Sequence, residues 1–177
     1  MQFTVVRGDI AKQEADVLVN AAGTSLRMGS GVAGALRRGA GETINEEAMS
    51  KGPVDLGEVA VTDAYDLDAE WVIHAAAMPH YGDGEATEGS IRAATRNALE
   101  RAEELGAESL VIPALGCGVA GFPLAEGARL ICAELAAHDA DSLADVRFIA
   151  YSREEFETIR SVAGEFEAFR PAPDSQR

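Results

Sequence analysis

The chain has 177 residues, with 30 acidic and 15 basic side chains and a formal net charge of −15, which excludes general nucleic-acid binding through phosphate neutralisation. With 47% hydrophobic and 25% charged residues, it has the composition of a folded protein long enough to bury one core, not of a charged disordered chain. The two cysteines, Cys117 and Cys132, cannot form a disulfide framework or a zinc-spaced cluster, and no apolar run approaches the ~18–20 residues that span a bilayer. A cytoplasmic domain without a metal site or a membrane segment is therefore expected. Thirteen arginines stand beside only Lys12 and Lys51, an acid-rich, lysine-poor balance that high salt screens, so a halophilic source is expected. Residues 1–51 carry six acids and six bases, and residues 52–177 carry 24 and nine, so the whole negative excess lies in the later two-thirds.

In chain order, alternation predicts a first strand over 2–6, and the Val17-Leu18-Val19 run predicts a second over 17–20 that is buried on both faces. A glycine-rich loop follows over 23–31. Helices are predicted over 32–38 and 42–50, with a break at Gly52-Pro53 and strands over 58–64 and 71–76. From Thr87 the spacing of Ile91, Ala94, Ala98, Ala102 and Leu105 is helical, with Gly106 placed to end the helix and Glu100, Glu103 and Glu104 on its solvated face. A short strand over 109–113, a second glycine loop, a helix over 124–137 and a strand over 146–151 come next. The last helix starts near Glu154 and turns Phe156, Ile159, Ala163 and Phe166 inward. Strands alternating with helices imply parallel crossovers, and hence a three-layer α/β/α sandwich around a mixed, mostly parallel sheet. One domain over 1–170 is expected, with a frayed tail over 171–177.

Two segments share the pattern G-x-G-V-A-G: Gly29-Ser30-Gly31-Val32-Ala33-Gly34 and Gly116-Cys117-Gly118-Val119-Ala120-Gly121. Each opens toward a helix, where unpaired N–H groups and the positive end of the dipole favour an anion. Glycine lets the backbone approach phosphate oxygens, so an acidic chain could hold a diphosphate without lysines. A dinucleotide-binding dehydrogenase is the alternative. Its motif needs the first glycine directly after a strand and an acid ending the next one, whereas Gly29 lies nine positions past Asn20 and the strand after the second loop ends Ala150-Tyr151-Ser152. Cys117 sits at a helix start, where a thiol pKa can fall, but the C-x5-R of a cysteine phosphatase is missing because Pro123 occupies the arginine position. Cys117 therefore reads as a small loop residue, and Cys132 and His74 as core residues.

Gly8-Asp9-Ile10, Val19-Asn20-Ala21-Ala22, the loop from Gly29 to Gly34, and Ile112-Pro113-Ala114-Leu115-Gly116 through Gly121-Phe122-Pro123, in this order, resemble the macrodomain, the ADP-ribose-binding α/β/α module. The resemblance implies that Asp9 accepts from the adenine amino group, that the Ile10 N–H serves the adjoining ring nitrogen, and that Tyr151 packs on the adenine face. By the same resemblance Gly31, Val32 and Gly34 form the first diphosphate loop and Gly116, Cys117, Gly118, Val119 and Gly121 the second. Phe122 walls the distal ribose, and Asn20 shapes the first loop. ADP-ribose, or an ADP-ribosylated protein or small molecule, is the implied partner, with no cofactor.

The hydrolytic branch of that family carries a second Asn in N-A-A-N and an Asp in the first loop; here Gly23 and Ala33 stand at those positions, and neither can orient a ribose or polarise water. Gly116 and Ala120 likewise replace the usual serine and aromatic of the second loop. The implied functions are thus ADP-ribose binding with cleavage of the linkage at the distal ribose, for which His80 and Asp83 in the stretch 79–84 are the acid–base candidates, or a non-catalytic reader.

Overall fold

The structure, a computed structural model, describes residues 1–80, 83–118 and 120–172. Strands β1 (Thr4–Arg7), β2 (Val17–Gly23), β3 (Val59–Asp63), β4 (Trp71–Met78), β5 (Ser109–Ile112) and β6 (Asp145–Ala150) form one sheet in the order β1-β6-β5-β2-β4-β3. Every pairing is parallel except β3 with β4 at one edge. Parallel neighbours need crossovers; helices α1 (Gly31–Ala40), α2 (Thr43–Ser50), α3 (Glu88–Glu104) and α4 (Leu124–Ala137) lie in the connections between strands, and α5 (Arg153–Ala163) follows the last strand.

Side-chain alternation assigns the layers. Val17, Val19, Ile73, Leu110, Ile112 and Phe148 face α3, α4 and α5, while Leu18, Val72, Val111 and Ile149 face α1 and α2. Val17, Leu18 and Val19 are fully buried, as a central strand covered on both faces requires. The predicted sandwich is the observed one. The strand order differs from the 3-2-1-4-5-6 of the dinucleotide-binding fold, which sets the dehydrogenase reading aside. Among the described residues no helix is long and apolar enough to cross a membrane.

Boundaries moved where tertiary partners intervened. Phe3 leaves the first strand to bridge Phe169, its N–H bonding Ala168 O and its carbonyl accepting from Arg170 N. Phe166, predicted on the last helix, lies beyond its end at Gly164 but still packs on the core. In the tail, Ala172 is buried against the α1–α2 layer, and residues 173–177 lie outside the described residues.

One surface expectation is corrected. Glu100 and Glu104 are exposed, but the Glu103 side chain is only 13% accessible. Its carboxylate accepts from the N–H groups of Asp141 and Ser142, the Ser142 hydroxyl and His138 Nε2. Burial acts to raise its pKa, and these hydrogen bonds more than offset that, holding it at about 2. Helical spacing showed only that Glu103 lay off the main apolar face; the loop that folds back over it comes from 35 or more residues away.

Candidate functional site at the carboxyl ends of the strands

Parallel strands deliver all their carboxyl ends to one edge of the sheet. After β2 the chain runs toward β4 by way of α1 and α2 on one face, and after β5 it runs toward β6 by way of α4 on the other. The neighbouring strands β2 and β5 thus mark a topological switch point, the place where open α/β sheets bind ligands. The two glycine loops follow these two strands. Both predicted diphosphate loops therefore leave neighbouring strands at the same edge of the sheet.

The first loop is braced from outside itself. Met28 N–H donates to Asn45 Oδ1 at 2.8 Å, Arg37 Nη1 donates to Met28 O at 2.7 Å, and Val54 N–H donates to Thr24 O. Gly31, with φ +63°, turns the chain into α1, and Ser30 at the N-cap makes no side-chain cap bond, which leaves the first-turn N–H groups to an external acceptor. Gly34 allows close packing, since a Cβ there would lie 2.9 Å from Gly29 O. Val32 is partly buried and packs on the α1–α2 core.

The second loop is tight. Cys117 N–H bonds Ala114 O, Gly121 N–H bonds Gly118 O, and Phe122 N–H bonds Gly116 O. Gly116 and Gly121 both have positive φ, +77° and +76°. Gly118 has open space where a Cβ would stand, Phe122 packs partly buried against the core, and Val119 lies outside the described residues. The Cys117 sulfur does not serve the crevice: it lies against Gly127 of α4 and near Leu115 O, and burial pushes the thiol pKa up to about 11. The lowered pKa that a helix start can confer is overridden by desolvation. Iodoacetamide at pH 8 is accordingly expected to alkylate Cys117 roughly a hundredfold more slowly than a free cysteine. Peptide mass spectrometry of timed samples checks this, and labelling at the free-thiol rate would show the sulfur to be exposed.

At the far end of the same edge, Gly8 N–H bonds Ala150 O, which joins the ends of β1 and β6 and sets Asp9 and Tyr151 just past the ends of neighbouring strands. Asp9 Oδ1 caps the short 3-10 turn Ile10–Lys12 by accepting from Ala11 N–H at 2.9 Å; Ile10 is buried, and Tyr151 is 74% exposed. A cap role and a ligand role are compatible here, because a carboxylate has two oxygens.

Asn20 is buried and does not reach the crevice. Its Nδ2 donates to His74 Nδ1 at 2.9 Å, His74 Nε2 lies 2.9 Å from Thr62 Oγ1, and that hydroxyl donates to Asp63 O. The chain of donors fixes a neutral ring protonated at Nε2. Burial lowers the His74 pKa to about 4. Among the described residues, Asn20 Oδ1 has no hydrogen-bond partner.

The two positions that depart from the hydrolytic pattern are explained by packing. β2 slips register against β4 between Ala22 and Gly23, and a Cβ on Gly23 would stand 3.1 Å from Pro79 O. Ala33 is buried on the face of α1 that packs on the sheet, where a carboxylate would lose its hydration. Next to Gly23, His80 N–H donates to Thr24 Oγ1, and Asp83 N–H bonds His80 O, so both candidate acid–base residues stand at the β2–β4 end of the edge. Sequence reasoning missed Asn45, Arg37 and Thr24 as braces of the first loop, because no local spacing announces a bond across 17 or 56 residues.

The Macro domain family model matches residues 19–131. A Macro domain-containing protein of Streptomyces coelicolor is 36% identical over 169 residues, covering 92% of this chain and 98% of the relative. An uncharacterized protein of Mycobacterium tuberculosis is 41% identical over 152 residues, or 85% of this chain; the chain spans about two-fifths of that longer relative, 42%. Among solved structures, the Oceanobacillus iheyensis macrodomain with ADP superposes with a TM-score of 0.81 at 25% identity, covering 91% of this chain and 89% of that one. The Trypanosoma brucei macrodomain in complex with ADP-ribose gives 0.79 at 28% identity, covering 89% and 67%. Agreement of sequence over nearly the full length of the Streptomyces relative, together with the shared fold, establishes that this chain belongs to the Macro domain family.

Proposed function

We propose that this protein binds ADP-ribose, free or as the terminal ADP-ribosyl group of an ester-linked acceptor. The observation that carries this reading is that the two glycine loops follow neighbouring strands at one edge of the sheet, with Asp9 and Tyr151 farther along the same edge. Support comes from the likeness to macrodomains solved with ADP and with ADP-ribose. The ligand would lie along the sheet edge: adenine between Asp9 and Tyr151 at β1 and β6, diphosphate between the loops at β5 and β2, and distal ribose at β2 and β4. Three strand spacings separate the two ends, about 14 Å, a span suited to an extended nucleoside diphosphate with a second ribose. Backbone N–H groups and helix ends would meet the phosphate charge, which reconciles the ligand with a chain of net charge −15.

Asp9→Ala is expected to weaken ADP-ribose by about 1–3 kcal/mol, the scale of a lost hydrogen bond to a charged group. Isothermal titration calorimetry reads it, and unchanged affinity removes Asp9 from the adenine site. Because Ala11 N–H also loses its cap, a melting curve of the variant belongs beside the titration.

Hydrolysis of the ADP-ribosyl linkage is the second reading, favoured by the placement of His80 and Asp83 at the distal end. Gly23 and Ala33 favour the reader instead. Turnover of mono-ADP-ribosylated protein and of O-acetyl-ADP-ribose decides between them: consumption of either establishes the hydrolase, and no consumption at high protein concentration leaves the reader.

A further inference from the structure

The sheet has two edges, and the chain closes them differently. At β1 the segment around Phe169 bridges Phe3, bonding its backbone N–H and carbonyl. At β3 no further strand follows. Ala76 N–H donates to Glu58 O, so by alternation Ala60 and Thr62 turn their backbone groups toward β4, and Val59, Val61 and Asp63 turn theirs outward. Such a row of outward N–H and C=O groups is a template for another strand.

Two side chains of α2 sit on that row. Lys51 Nζ donates to Val61 O at 2.6 Å, and Glu47 Oε1 accepts from Asp63 N–H at 3.1 Å. The two are tied to each other, Lys51 Nζ to Glu47 Oε2 at 3.0 Å. Tyr65, in the uncommon backbone of a non-glycine residue at φ +51°, turns its hydroxyl onto Glu47 Oε1 at 2.8 Å and holds the carboxylate in place. A donor on one outward carbonyl and an acceptor on the next outward N–H are what an adjoining strand would supply at the same two positions. Lys51 is also one of only two lysines beside thirteen arginines. A compact ammonium on a flexible stem suits a single carbonyl better than a guanidinium fork does, and lysine is a common guard of strand edges.

The guarded row is self-complementary. In an antiparallel pairing centred on Val61, that residue would face Val61 of a second copy and Val59 would face Asp63, so each outward N–H would meet an outward carbonyl. A cavity of about 470 Å³ beside the strand, with Val59, Val61 and Trp71 in its wall, leaves room for the incoming side chains.

We propose that Glu47 and Lys51 form a guard that closes the β3 edge against strand pairing with a second copy of this chain. The inference is independent of the ligand reading. Its test follows amide hydrogen exchange at Val61 by NMR against protein concentration, with sedimentation velocity alongside, for wild type, Lys51→Met and the double variant Glu47→Ala/Lys51→Met. In wild type the Val61 rate is expected not to change with concentration. In the double variant it is expected to fall about tenfold or more as concentration rises, with a dimer appearing in sedimentation. Adding Val61→Pro removes only an outward N–H, which an edge strand tolerates, and is expected to return the double variant to wild-type sedimentation. A folded double variant whose Val61 exchange ignores concentration overturns the proposal. So does wild type that already protects Val61 on concentration, since its edge would then be open, and so does a dimer that survives Val61→Pro. Melting curves report folding; if the double variant does not fold, Lys51→Met, which keeps the alkyl stem of a side chain 45% exposed, is read by the same criteria.

Discussion

Gly116→Ala is expected to lower stability by about 2–5 kcal/mol and to abolish measurable ADP-ribose binding. Two costs add. A side chain at φ +77° is strained by about 1–2 kcal/mol, and the new Cβ would meet the Ala86 methyl at 2.7 Å and Ile91 at 3.0 and 3.1 Å, an overpacking that costs about 1–3 kcal/mol. Neither neighbour can swing aside easily, because Ala86 has no rotamer to change and Ile91 is fully buried in the α3 core. The second loop would have to move, and the N–H groups proposed to hold phosphate would move with it. For a chain of this size the loss corresponds to a fall in melting temperature of roughly 5–15 °C. Gly118→Ala is the control: a Cβ there meets nothing within 4 Å, so stability should stay within about 0.5 kcal/mol of wild type. Equal melting temperatures for Gly116→Ala and wild type would contradict the packing described here.

Acidification should destabilise the protein in two separate windows. The His74 ring has its pKa lowered to about 4 by burial, against 6.5 for an ordinary histidine. Above pH 6.5 the ring is neutral in both folded and unfolded chains, and its burial carries no protonation penalty. Between 6.5 and 4 only the unfolded ring takes up a proton, so stability falls with pH, by about 3 kcal/mol in all. Below about 4 both forms are protonated and this contribution levels off. Glu103, held at about 2, acts lower: its stabilisation is complete above 4.5 and is lost as pH falls toward 2. Urea titrations from pH 7 to pH 3 separate the two. His74→Gln, neutral throughout, should be less stable at pH 7, having lost bonds to Asn20 or Thr62, but should lack the wild-type slope between 6.5 and 4.5. A variant that keeps the wild-type slope in that interval would mean that His74 is not the titrating group.

Much of the site was legible in residue order. The G-x-G-V-A-G segments, Asp9 after the first strand and Tyr151 after the last are local signals, and parallel strands bring such residues to one edge without further information. Local spacing did not carry the partners of Glu103, the sulfur of Cys117 turned onto α4, or the bond of Asn20 to His74. Each depends on a residue far away in the chain, and a period of 3.6 or 2 assigns a face, not the neighbour that will cover it.

Hydrophobic period and glycine placement by themselves determined the α/β/α layering and the positions of the two glycine loops, because those follow from backbone geometry within a few residues. The acidic surplus, which excludes lysine-rich phosphate binding, is compatible with a diphosphate held by neutral N–H groups. Only the tertiary structure showed that a Cβ at position 23 would be crowded, standing 3.1 Å from Pro79 O at the neighbouring strand's exit. It alone also turned the Cys117 sulfur onto Gly127 of α4 and covered Glu103 with the chain around Ser142, because contacts between segments far apart in sequence are chosen by long-range packing, not by local propensity.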